Sequence, residues 1–144
     1  MAKVSVKKHI DQDVMTVWNY VSKWDGTSRW IPGVGPVTTE GLGIGATRCA
    51  ELAPETGFPG MIIERLDALN QEKFSFAYST VGQSPLPVTN YSAEMKVEAS
   101  GKGALVTWNS TWEPSGMPEE ELQKAFEELY SISLDNVERE LLKN

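Results

Sequence analysis

Apolar and polar residues alternate with the two-residue period of a β-strand in several parts of the chain. In residues 3–10, Val4, Val6 and Ile10 fall on one face, while lysine, serine and histidine side chains fall on the other. Residues 88–99 alternate in the same way. This pattern is typical of an antiparallel sheet that has one covered face and one face exposed to water.

Similar patterns predict six strands after the first one, separated by segments rich in turn-forming residues. These strands are residues 37–40, 46–52, 60–69, 73–80, 88–99 and 104–113. For the last strand, the pattern does not decide which of two alternating sets of residues lies on the covered face. A slip would place Asn109 and Thr111 on the covered face instead of Trp108 and Ser110.

Two helical segments are predicted between the first and second strands. One face of the first helix carries apolar residues at Val14, Val17, Trp18 and Val21. Asp11 is a favourable N-cap for this helix, which we expect to have about three turns. A shorter helix is predicted over residues 27–30.

The last predicted element is a long helix over residues 118–142. Pro118 suits the first turn, and the glutamates that follow complement the positive end of the helix dipole. One stripe of this helix consists of Leu122, Phe126, Leu129, Ser133 and Val137. Ser133 interrupts the apolar stripe, and it is either a neutral core residue or a residue that faces a cavity.

Composition narrows the class of protein. The chain has 144 residues, of which 40% are hydrophobic, so we expect one folded domain over residues 1–144. The net charge of −7 argues against nucleic acid or an anionic membrane as the main partner. One cysteine and one histidine are too few for an internal disulfide or a usual zinc site, and no metal or cofactor is expected.

No stretch approaches the ~20 apolar residues of a membrane-spanning helix, and residues 1–14 lack the apolar run of a signal peptide. The expected location is therefore the cytoplasm, and the expected state is a monomer or homodimer.

Two predicted loops are unusually apolar. Residues 57–60 include Phe58, and residues 84–87 include Leu86. Loops normally lie in water, so these loops either cover an apolar cavity or are ordinary turns packed on the core.

Several short motifs are shared with a known family. They are the Trp18 helix and residues 45–48, 64–67, 86–91 and 106–108. With them, the whole chain resembles the polyketide cyclase/dehydrase branch of the START and birch-pollen-allergen (SRPBCC) superfamily. The resemblance implies an α+β helix-grip fold, in which a seven-stranded curved antiparallel sheet wraps around the long C-terminal helix and encloses a cavity. Members of the superfamily bind lipids, hormones or polyketides, and some catalyse cyclisation or dehydration.

The two apolar loops are also similar to the gate and latch of the plant abscisic acid receptors. Two departures from those receptors matter. Their latch has His-Arg-Leu where this chain has Leu86, Pro87 and Val88, and their carboxylate-binding lysine falls near Pro32. A gated cavity is therefore expected, whereas a role as a hormone receptor is not.

Strand alternation places Arg48 and Glu64 on the inner face of neighbouring strands. A buried carboxylate needs a partner, so they form either a structural ion pair or a ligand-binding or catalytic set. Arg48 alone could bind a ligand carboxylate or enolate oxygen through two parallel hydrogen bonds. The family resemblance also places Tyr78 and Tyr91 on the inner face. In a pocket they would orient a ligand hydroxyl or carbonyl group, and as plain core residues they would need partners for their hydroxyls.

Three functions follow as hypotheses. The first is binding of a mostly apolar small molecule in the cavity. The second is a cyclase or dehydratase, with Glu64 and a tyrosine as acid and base and Arg48 stabilising an oxyanion. The third is a protein that docks a partner through its gate loops. The candidate ligand-binding residues are Arg48, Phe58, Glu64, Tyr78, Thr80, Leu86, Tyr91, Trp108, Ser110, Phe126, Leu129 and Ser133.

Overall fold

The computed structural model describes residues 1–143 and contains one seven-stranded antiparallel sheet. The strands are β1 (Ala2–Ile10), β2 (Thr38–Glu40), β3 (Thr47–Leu52), β4 (Gly60–Asn70), β5 (Ser75–Thr80), β6 (Val88–Ser100) and β7 (Gly103–Pro114), in the spatial order β1-β7-β6-β5-β4-β3-β2. The helices are α1 (Val14–Val21) and α2 (Glu119–Leu142), and single 3-10 turns cover Thr27–Arg29 and Pro54–Thr56. The predicted helix-grip fold is confirmed.

Helix α2 packs against the inner face of the sheet, chiefly on β1. Its buried side chains recur at helical spacing and are Leu122, Phe126, Tyr130, Ser133, Leu134, Val137 and Leu141. The Ser133 hydroxyl donates to the carbonyl of Leu129 at 2.6 Å. Ser133 is therefore a core residue whose polar atom is satisfied within its own helix.

The inner face of β7 carries Trp108, Ser110 and Trp112, all of which are buried. Asn109 and Thr111 lie on the other face, since they are only partly buried. This settles the open parity of the strand. Each large apolar side chain that is fully buried in this way contributes about 1.5–3 kcal/mol of transfer free energy.

Irregular pairing interrupts β4 between Leu66 and Ala68 and β6 between Thr89 and Ser92. Such bulges increase the local twist of a sheet. They help the strands to curve around α2.

The first helix differs from its prediction. The side chain of Asp13 accepts the N-cap hydrogen bond from Met15 at 3.1 Å, so the predicted cap at Asp11 is wrong and the helix spans only Val14–Val21. The reason lies in the turn after β1, where the Gln12 amide donates to the carbonyl of Ile10 at 2.8 Å. The predicted second helix is a 3-10 turn. Within residues 1–143, no helix is long and apolar enough to cross a membrane.

Candidate ligand-binding cavity

A cavity of about 400 Å³ lies between the inner face of the sheet and α2. Its volume falls within the ~300–1,000 Å³ range of small-molecule sites. Most of the predicted site residues line it, namely Arg48, Phe58, Glu64, Tyr78, Leu86, Tyr91, Trp108, Phe126 and Leu129. Three others lie outside the lining: Thr80, which pairs with Glu64 across the sheet, and the buried residues Ser110 and Ser133.

The two apolar loops form part of the cavity wall. Phe58 and Leu86 both line the cavity, which accounts for apolar side chains in these loops. The loops meet at Gly60, where a β-carbon would lie 3.1 Å from Cβ of Pro85. Gly60 also has φ +145°, a conformation that side chains disfavour. Glycine at this position therefore permits the close approach of the two loops.

The Arg48–Glu64 pair supplies the charge inside the cavity. The two residues are direct partners in the β3–β4 register, and Arg48 Nε lies 2.8 Å from Glu64 Oε1. Arg48 Nη1 also donates to the carbonyl of Trp24 at 3.1 Å. The guanidinium carbon lies 3.9 Å from the ring centroid of Trp24 and 4.9 Å from that of Tyr78. These contacts hold a buried cation in place by an ion pair and by two aromatic faces.

A chain of hydroxyl groups runs from the cavity wall into the core. Tyr91 and Tyr130 are hydrogen-bonded through their hydroxyls, and Tyr130 donates to Ser110 Oγ at 2.9 Å. Tyr130 therefore accepts the proton of Tyr91, since each hydroxyl has one proton to donate. The ring of Trp108 stacks on that of Tyr130 with centroids 3.9 Å apart.

The Tyr78 hydroxyl, in contrast to that of Tyr91, acts as a hydrogen-bond acceptor within the protein. Trp108 Nε1 donates to the Tyr78 hydroxyl oxygen at 3.1 Å. An indole nitrogen can only donate, so Tyr78 keeps its own proton to donate either to a ligand or to the neighbouring Tyr91 hydroxyl. The cavity wall thus offers a hydroxyl donor at Tyr78 and a hydroxyl oxygen with free lone pairs at Tyr91.

Burial raises the pKa of Tyr78, Tyr91 and Tyr130 well above that of a free tyrosine, because the charged phenolate would lose its hydration. The neighbouring Glu64 carboxylate raises the pKa of Tyr78 further. The three hydroxyls are therefore neutral hydrogen-bonding groups rather than bases at ordinary pH.

Three aromatic residues at or beside the cavity are absent from the set predicted from the sequence. Tyr130 lies four residues after Phe126 and lines the cavity, so its helical spacing was a usable signal. Trp24 contacts Arg48 through its ring and its carbonyl. Trp30 is buried, with its ring edge against Trp108 and the two ring centroids 5.6 Å apart.

Among residues 1–143, no group of three or more histidine, cysteine, aspartate or glutamate side chains is positioned to bind a metal ion.

Solved structures with the same fold are numerous. XoxI from Bacillus cereus is 26% identical, with a TM-score of 0.86 over 99% of this chain and 96% of that one. An uncharacterized protein from Bacillus thuringiensis is 24% identical, with a TM-score of 0.84 over 98% and 99% of the two chains. A protein from Thermus thermophilus, TTHA0849, is 14% identical, with a TM-score of 0.81 over 99% and 98%.

A search of curated protein sequences gave no significant match. The family described as polyketide cyclase / dehydrase and lipid transport, in contrast, matches residues 1–142. The chain belongs to this family.

Proposed function

We propose that the protein binds a mostly apolar small molecule in the cavity between the sheet and α2. The observation that carries the proposal is the cavity itself, about 400 Å³ in volume, with a mainly apolar wall and a small cluster of polar groups. Small-molecule sites have this composition, because apolar area supplies affinity and a few polar groups set orientation. The family's association with lipid transport supports the same proposal.

The polar cluster lies on the sheet side of the site. Arg48, Glu64, Tyr78 and Tyr91 lie on four neighbouring strands, β3 to β6, and all line the cavity. The opposite wall is apolar where Phe126 and Leu129 of α2 face it. A ligand would place its apolar body against α2 and its oxygen atoms against the sheet.

The proposal is tested by filling the cavity. Ala50 lines it and is buried, so Ala50→Phe should displace the ligand. Binding would be measured by the fluorescence of Nile red, a neutral apolar dye. We expect saturable binding to the wild-type protein, with at least a ~10-fold loss in the variant, equivalent to ~1.4 kcal/mol.

Cys49→Phe is the matched control. Cys49 is the preceding residue on β3, so its side chain points to the opposite face of the sheet, and it is not part of the cavity wall. Equal dye affinity in the two phenylalanine variants, both shown to be folded by circular dichroism, would contradict the proposal.

Catalysis is a second candidate function, favoured by the position of Arg48, which contacts both the Glu64 carboxylate and the Tyr78 ring. A carboxylate, a hydroxyl donor and a cation on one wall are the groups that a cyclisation or dehydration would need. Glu64→Gln should then abolish turnover of a polyketide-like substrate while its affinity for neutral ligands is retained. Unchanged turnover would exclude Glu64 as the acid or base.

A further inference from the structure

The buried cation of the cavity is already paired. Arg48 and Glu64 are the charged lining residues that are largely shielded from water, whereas the carboxylates of Glu55 and Glu128 also line the cavity but are exposed to solvent. Glu64 already forms an ion pair with Arg48, and the whole chain has a net charge of −7. An anionic ligand would therefore enter a cavity whose positive charge is already compensated.

We infer that the cavity selects a ligand with a neutral oxygen-bearing head group, a hydroxyl or a carbonyl, over the corresponding carboxylate. This inference rests on the proposed binding function and specifies its ligand class. It replaces the sequence-based idea that Arg48 alone binds a carboxylate, because Arg48 is not alone in the structure.

The hydrogen-bonding groups match a neutral head group. Arg48 uses Nε for Glu64 and Nη1 for the carbonyl of Trp24, which leaves Nη2 for a ligand. Tyr78 can donate its proton, since its oxygen accepts from Trp108. These two donors suit the lone pairs of a carbonyl or hydroxyl oxygen.

Acceptors are present on the same wall. Glu64 engages Arg48 through Oε1, so Oε2 can accept a proton from a ligand hydroxyl. The Tyr91 oxygen can also accept, because its own proton bonds to Tyr130. An alcohol would thus satisfy both a donor and an acceptor of the protein.

A carboxylate would meet a different environment. It could approach Arg48 only beside the Glu64 carboxylate, which lies 2.8 Å from the guanidinium and is itself mostly buried. Two carboxylates at one buried cation repel each other, and an uncompensated buried charge is costly. The alternative is to displace Glu64 from Arg48, which leaves Glu64 without its partner.

Three ligands with the same apolar chain test the inference: decanol, methyl decanoate and decanoate. Their competition with Nile red would be measured at about pH 7.5, where the free carboxyl is ionised. We expect decanol and methyl decanoate to bind at least ~10-fold more tightly than decanoate. Equal or tighter binding of decanoate would overturn the inference. This comparison uses only the wild-type protein, so it does not depend on the folding of any variant.

Glu64→Gln probes the cause of the selectivity. The amide keeps the shape of the side chain and can still accept from Arg48, but it leaves the cation uncompensated. The affinity for decanoate relative to that for methyl decanoate, which has no hydroxyl proton for Glu64 to accept, should then rise about 10-fold. Glu94→Gln is the control, because it removes the same charge from the exposed outer face of β6.

The two proposals fail in different ways. A relative affinity for decanoate that is unchanged in Glu64→Gln, or increased as much in Glu94→Gln, would overturn the role of Glu64 in head-group selection while leaving ligand binding intact. Absence of competition by all three ligands, together with absence of Nile red binding, would overturn both the inference and the proposed function.

Discussion

Alkaline pH should unfold this protein through its buried tyrosines. Tyr78, Tyr91 and Tyr130 are 3%, 5% and 1% exposed, and burial raises the pKa of each hydroxyl. In the unfolded chain the same groups ionise near pH ~10. Above that pH the unfolded state has lost three protons that the folded state retains, so the free energy of unfolding must fall.

The magnitude follows from proton linkage. Each retained proton lowers the free energy of unfolding by about 1.4 kcal/mol per pH unit, and the three tyrosines together by about 4 kcal/mol per pH unit. A domain with the usual ~5–15 kcal/mol of stability should therefore unfold within a few pH units above pH ~10. Below that pH the three tyrosines contribute no pH dependence.

Two signals recorded in one titration provide the assay. Ultraviolet absorbance reports tyrosinate, and far-ultraviolet circular dichroism reports the folded chain. The chain has 4 tyrosines. Tyr20 is only partly buried, which raises its pKa less than full burial does, so we expect Tyr20 alone to ionise before the structure is lost. The other three should ionise together with unfolding, and Tyr91→Phe should reduce the slope of stability against pH by about one third. Gradual ionisation of all tyrosines near pH ~10, with an unchanged dichroism spectrum, would show that the three hydroxyls are not kept protonated by burial in the folded protein.

Three further substitutions test the site. Tyr130→Phe removes two buried hydrogen bonds and should cost about 1–3 kcal/mol in urea unfolding, against less than about 0.5 kcal/mol for Tyr20→Phe; equal losses would contradict the hydroxyl chain. Arg48→Ala should cost about 2–4 kcal/mol, because it leaves Glu64 buried without its partner. Arg65→Ala is the control, because Arg65 forms an exposed ion pair with the same 2.8 Å separation, and it should lower stability by less than about 1 kcal/mol. A similar loss in both variants would contradict the idea that burial makes the Arg48–Glu64 pair important for stability. Gly60→Ala should lower the free energy of unfolding by about 1–3 kcal/mol, because φ at this position is strained for alanine, and it should speed the release of Nile red in stopped-flow measurements. An unchanged release rate would show that the close approach of the two loops at Gly60 does not control ligand release.

The order of elements could be predicted because the alternation along the strands is regular. In β6, for example, Tyr91, Ala93, Met95 and Val97 are all buried on one face, as their two-residue spacing indicated. The cap of α1 could not be predicted as reliably. Asp11 and Asp13 are both capping residues, and the choice between them depends on the hydrogen bonding of the turn after β1.

The site was predicted in part for the same reason. Alternation identified Arg48 and Glu64 as inward residues on adjacent strands, and their pairing needed only a register in which they oppose each other. The partner of Tyr91 was missed because it lies on α2. Helical spacing places Tyr130 on the inner stripe of α2, but the strand residue that it meets depends on how the helix crosses the sheet.

Nuclear magnetic resonance can show whether an apolar ligand occupies the cavity. Methyl decanoate would be titrated into isotope-labelled protein while amide shifts and ligand-to-protein contacts are recorded. We predict contacts from the ligand to the rings of Tyr78 and Phe126 and to the side chain of Leu129, with the largest shifts on β5, β6 and α2. Contacts confined to the exposed apolar side chains of Met61 and Ile63, which lie on the outer face of β4, would contradict it.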